Sequence, residues 1–179
     1  MCSSDLETWH VATEFFWRAP EDAAEPLVTA MDRVFGDPAL SDVVRNCIEA
    51  MGRMGGDPFD APLRRCMQHK EPNVVQAAFA AFGSAGKAET LRELATAFPQ
   101  MDGRARQAWL HGVRMRLGAD AVPLLRDVMA GPYPISVRDQ VLREALAMPM
   151  AQAAVILRPR WEEAVGEFKA IIAGVLHAA

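Results

Sequence analysis

Cysteine is scarce in this chain. There are three, Cys2, Cys47 and Cys66, and no two are spaced as Cys-x-x-Cys. That excludes a disulfide framework and a thiolate metal knuckle. Cys47 and Cys66 fall on apolar helical stripes, where a free thiol behaves as a small hydrophobe. Long apolar runs are missing as well. Nothing approaches the roughly 18 residues needed to cross a bilayer, and the segment Ala164 to Ala179 is broken by Glu167, Lys169 and His177. Met1 to Asp5 lacks the basic start and apolar core of a signal peptide. The expectation is a cytoplasmic protein with no membrane span.

The constellations that carry chemistry are also missing. His10, His69, His111 and His177 form no i, i+4 pair and no H-E-x-x-H motif, so no metal is expected. No G-x-S-x-G, Walker loop or dinucleotide fingerprint occurs. Gly52-x-x-Gly55-Gly56 resembles a phosphate loop in isolation, yet Gly83-x-x-Gly86 repeats it, as the ends of successive helices would. Glu162-Glu163 and Glu21-Asp22 sit where helices start, which suits the helix dipole without a catalytic role. No enzymatic activity and no cofactor are expected.

What is present is a folding composition with uneven charge. Apolar residues make up 51% of the 179, enough for a sizeable core in one domain. The net charge is −4, which argues against nucleic acid as the main partner. Residues 1–60 carry 4 basic and 12 acidic side chains, residues 61–120 carry 9 and 5, and residues 121–179 carry 6 and 6. Sixteen of the 19 basic residues are arginine, so forked donors dominate any basic surface.

The chain also repeats itself. Ser41 to Gly55 aligns with Pro72 to Gly86 at an offset of 31 residues, which superposes Val44 on Val75, Ile48 on Phe79, Met51 on Phe82 and Gly52 on Gly83. The same offset brings Leu110 and Val141 into the Ile48 column, and Trp17 into it from the other side. Apolar positions 44, 47, 48, 51 and 75, 78, 79, 82 follow the i, i+3, i+4, i+7 spacing of a helix stripe. Gly55-Gly56 and Gly86 are read as left-handed helix ends. A second helix follows in each unit, opened by Asp57 as cap and Pro58. Its apolar column is Leu27, Leu63, Leu91 and Leu124. A helix pair of this size cannot bury its stripe alone, so the pairs are expected to stack. The reading is an all-α fold, an α-solenoid or α-α superhelix of four to five helix pairs. It forms a single domain over 1–179: an N-terminal cap helix in 1–20, repeats in 21–147 and capping helices in 150–179.

The run from Val44-Arg45 through Ala61-Pro62-Leu63, and again from Gly118 through Pro123-Leu124, resembles bacterial HEAT-like repeats of the type shared with phycobilisome lyases. The resemblance covers about residues 20–147. It implies that the second helices line a concave groove holding a partner. Positions after the leucine column then face that groove: Val28 and Thr29, Arg64 and Arg65, Arg92 and Glu93, Leu125 and Arg126. Arg64, Arg65, Arg92 and Arg126, with Gln68 and His69 one turn on, are the candidate partner-binding residues. Arg104, Arg106, Arg114 and Arg116 would lie on the opposite face. The function implied is a protein-interaction module of adaptor, scaffold or assembly type, its partner unidentified. Two alternatives come with the resemblance: a nucleic-acid binder like the HEAT-like DNA glycosylases, and a lyase or chaperone subunit acting on a tetrapyrrole-bearing protein.

Two tryptophans break the regularity. Trp109 stands in a column otherwise held by Cys47, Ala78 and Gln140, either as filler between units or as an exposed anchor. Trp161 follows Arg158-Pro159-Arg160, where proline is expected to start a helix running to His177. That helix carries a stripe of Trp161, Val165, Phe168, Ile172 and Val175. It either caps the array, leaving a monomer, or forms a homodimer surface with Trp161 as an anchor. Ser4 and Glu7 form a capping box at the other end, before Trp9 and Phe16.

Overall fold

The structure, a computed structural model, describes residues 20–162 and 164–179. The expected N-terminal cap, with Ser4, Glu7, Trp9, Phe16 and Trp17, lies outside them, as do Cys2, His10 and Glu163. Among the described residues there are α-helices and 3-10 turns and no strand. No helix there is long and apolar enough to cross a membrane.

The chain divides into two compact units, Met1–Lys87 and Ala88–Ala179. The first contains α1 (Pro20–Val34), α2 (Ser41–Met54), α3 (Asp60–Cys66) and α4 (Pro72–Ala85). The second contains α5 (Ala88–Glu93), a 3-10 segment Leu94–Gln100, α6 (Gly103–Leu117), α7 (Ala121–Ala130), α8 (Ile135–Leu146), α9 (Met150–Leu157) and α10 (Gly166–Ala178). Helices α2, α4, α6 and α8 begin at Ser41, Pro72, Gly103 and Ile135, in step with the sequence offset to within one residue. Their shared column, Ile48, Phe79, Leu110 and Val141, is buried throughout. Each such side chain contributes roughly 1.5–3 kcal/mol on leaving water. Pro62 and Pro123 fall in the first turns of α3 and α7, where a missing N–H costs no helical hydrogen bond.

In the first unit α2 packs on α4 backbone to backbone. A Cβ on Gly52 would lie 2.7 Å from the Ala81 methyl carbon and 2.8 Å from its Cα. Gly52 is thus a contact residue between helices as well as part of the last turn of α2. The glycines that end the helices differ from each other. Gly55 has the expected left-handed conformation, φ 67°. Gly86 does not: its φ is −63°, and it is confined by the Phe82 carbonyl oxygen, 2.5 Å from where a Cβ would sit.

Three local expectations change. Asp57 does not cap a helix: Asp57–Phe59 is a 3-10 turn, and the Asp57 carboxylate pairs with Lys87 Nζ at 2.8 Å. In α7 the buried leucine is Leu125, while Leu124 is only half-buried. Finally, Pro159 starts no long helix. It lies in a 3-10 turn, Arg158–Arg160, and α10 begins only at Gly166, itself at φ 59°, after extended Val165. Val165 is therefore 79% exposed instead of lying on the stripe, whereas Ile172 and Val175 are buried.

Candidate functional site

The four candidate arginines each meet a carboxylate. On α3, Arg64 Nε donates to Asp60 Oδ2 at 2.7 Å, one turn earlier in the same helix, and its guanidinium lies 5.9 Å from the Phe82 ring centre. Arg65 pairs with Asp32 of α1 and lies 4.3 Å over the Phe35 ring. In the second unit Arg92 pairs with Asp120 at 2.8 Å and Arg126 with its neighbour Asp127 at 3.0 Å. Acidic residues that unbalance the N-terminal third in sequence thus neutralise part of the basic middle. Each pair is solvent-accessible and contributes at most about 1 kcal/mol.

His69 belongs to the same structural tie as Arg65. Its Nε2 lies 2.9 Å from the Phe35 carbonyl oxygen, and its Nδ1 accepts from the Glu71 N–H at 3.0 Å. A carbonyl only accepts and an amide N–H only donates, so the proton sits on Nε2 and Nδ1 is bare. The ring meets Phe35 edge-on at 4.8 Å. Arg65 and His69 together hold the chain just beyond α1 against α3. Gln68 is exposed beside them.

Trp109 is filler. It is fully buried, donates Nε1–H to the Leu91 carbonyl at 3.0 Å and packs on Phe98 with ring centres 5.0 Å apart. An anchor role is excluded by its lack of exposure. Trp161 is half-buried in the segment before α10, with Lys169 Nζ 5.2 Å from its ring centre. The second basic group is also largely engaged. Arg106 donates to the Phe98 and Pro99 carbonyls at 3.3 and 2.9 Å, and Arg114 to Glu144 at 2.5 Å.

Both described cysteines are buried. Burial pushes the Cys66 thiol from its ordinary 9.0 up to about 11, the nearby Arg65 charge opposing only in part. Burial raises the Cys47 thiol too. Neither is a nucleophile near neutral pH. Among the described residues, no group of three or more His, Cys, Asp or Glu is placed to hold a metal ion.

The surface with unspent chemistry lies in the second unit. Arg126 and Arg158 line a cleft of about 380 Å³ with Ala154, Val155 and Pro159. No carboxylate of the described residues pairs with Arg158, and Val155 is exposed. The arrangement offers guanidinium charge beside an apolar floor, which suits an acidic side chain flanked by apolar ones. Arg126 belongs to the expected set; Arg158 and Val155 were hidden, because Arg158-Pro159-Arg160 reads from sequence as a helix start. Arg160 has a different task. It donates to the Met129, Ala130 and Gly131 carbonyls at 2.9, 2.7 and 2.7 Å, closing the C-terminal end of α7. No protein-family model, curated protein or solved structure matches this chain.

Proposed function

We propose that this chain is a HEAT-like α-solenoid repeat protein acting as a non-catalytic interaction module, an adaptor, scaffold or assembly factor that grips an acidic segment of a partner protein. The observation that carries the reading is the cleft between α7 and α9, where Arg126 and Arg158 flank exposed Val155. The regular spacing of helix starts at Ser41, Pro72, Gly103 and Ile135, each helix burying its residue of the shared column, supports the repeat assignment. Pairing of Arg64, Arg65 and Arg92 with carboxylates disfavours a phosphate-binding row and hence the nucleic-acid alternative.

The test is affinity capture from the native cell with the wild-type chain and an Arg126→Glu/Arg158→Glu variant. Proteins retained by the wild type and lost by the folded variant support the reading. Equal recovery by both removes the cleft from it. Capture that survives the variant but falls steeply with salt and carries nucleic acid would restore the alternative.

A further inference from the structure

A second cleft in the same unit has chemistry that the interaction reading does not use. It lies between the start of α8 and the segment leading into α10, encloses about 130 Å³, and is lined by Ile135, Arg138, Asp139, Val165 and Phe168, with Arg160 and Ala164 completing the wall. Ile135 and Val165, 74% and 79% exposed, are the most exposed large apolar side chains of the described residues. Water-facing side chains of this kind at the rim of one small cleft mark a ligand site more readily than a solvated helix face.

The polar side chains of the cleft are as unusual as the apolar ones. Arg138 Nε is shut off from water and has no hydrogen-bond acceptor. No acid among the described residues pairs with Arg138, and no base pairs with Asp139. Arg160, the other cation in the wall, has its donors directed at the α7 carbonyls. Among the described residues, the cleft therefore holds a guanidinium and a carboxylate without a partner, on consecutive residues of α8. The two do not pair with each other, unlike the successive Arg126 and Asp127 of α7. A molecule that carries both charges a few bonds apart satisfies both.

We infer that this cleft binds a free apolar α-amino acid: its carboxylate on Arg138, its ammonium on Asp139, and its side chain against Ile135, Val165 and Phe168. Its volume of about 130 Å³ matches the side chain of such a ligand, since an apolar cavity on the order of 150 Å³ accommodates a benzene-sized group. Selection follows from the same features. A monocarboxylate leaves Asp139 uncompensated, an alkylamine leaves Arg138 so, and glycine leaves the apolar wall wet.

Titration of the full chain with L-leucine and L-phenylalanine, followed by methyl and aromatic NMR signals of Ile135, Val165 and Phe168, tests this directly. Saturable shifts at these residues are expected. Glycine, 4-methylpentanoate and 3-methylbutylamine should each bind at least about tenfold more weakly. Arg138→Gln and Asp139→Asn should each lower L-leucine affinity by a similar factor while leaving the far-UV circular dichroism unchanged. No saturable shift with either amino acid at millimolar concentration overturns the inference, as does equal binding of 4-methylpentanoate. The analogue series needs no variant, so the result stands even where a substitution fails to fold. It is independent of the Arg126 and Arg158 capture experiment, and either can fail alone.

Discussion

Arg64 and Arg65, in the unit ending at Lys87, are held by Asp60 and Asp32. Arg138 and Arg158, in the unit beginning at Ala88, have no carboxylate of their own among the described residues. The apolar surface divides the same way. Among the described residues, the first unit exposes Leu40 and Val43, and the second exposes Met115, Ile135, Leu146, Met150, Val155 and Val165. Packing differs too. The first unit brings two helices together through Gly52 and Ala81, while in the second Trp109 packs on Phe98 and Tyr133 meets Phe98 at 5.2 Å.

The strongest way to break this contrast is Trp109→Ala. It removes a buried ring and its hydrogen bond to Leu91, and should cost about 3–5 kcal/mol in urea unfolding. A variant that unfolds at the wild-type midpoint would show that the aromatic core is not what holds the second unit. Gly52→Val is the counterpart in the first unit. Its branched side chain must push α2 and α4 apart at the Ala81 contact, for about 1–3 kcal/mol. Gly103→Val, where nothing lies within 4 Å of the position a Cβ would take, should cost less, and equal losses at the two sites would refute close approach as the reason for Gly52.

Smaller effects sharpen the comparison. Cys66 keeps its proton in the folded state up to about pH 11, while the unfolded chain releases it near 9.0. Folded protein thus binds more protons in that window, so stability is intact below pH 9 and declines as pH rises towards 11, by at most about 1.4 kcal/mol per pH unit. Cys66→Ala should flatten that part of a melting-temperature profile. An unchanged slope would assign the alkaline loss to other groups. Last come the exposed ion pairs. Arg65→Gln and Arg92→Gln should each cost no more than about 1 kcal/mol, and less at high salt. Arg158→Gln, with no carboxylate to lose, should leave the midpoint in place while weakening partner capture.

Much of the architecture was legible in the residues themselves. Offset and stripe spacing placed α2 and α4 at their observed residues, and the Ile48 column is buried as the alignment requires. Helix periodicity is a local property, so one chain suffices to read it. The candidate site was legible only in part. Arg126 does line a cleft, but pairing of Arg65 with Asp32, 33 residues away, is a matter of which helices touch. The Leu124 register failed because the face of α7 that turns inward is set by the helices it packs against.

By itself, the sequence determined the helical class, the step of about 31 residues and the burial of Cys47, Cys66 and the Ile48 column, because each follows from side-chain spacing along a helix. Tertiary structure alone decided which arginines are neutralised, that Trp109 is core rather than anchor, and that Arg138, Asp139, Ile135 and Val165 share one cleft. Those outcomes depend on distances between segments far apart in the chain, which no local pattern encodes.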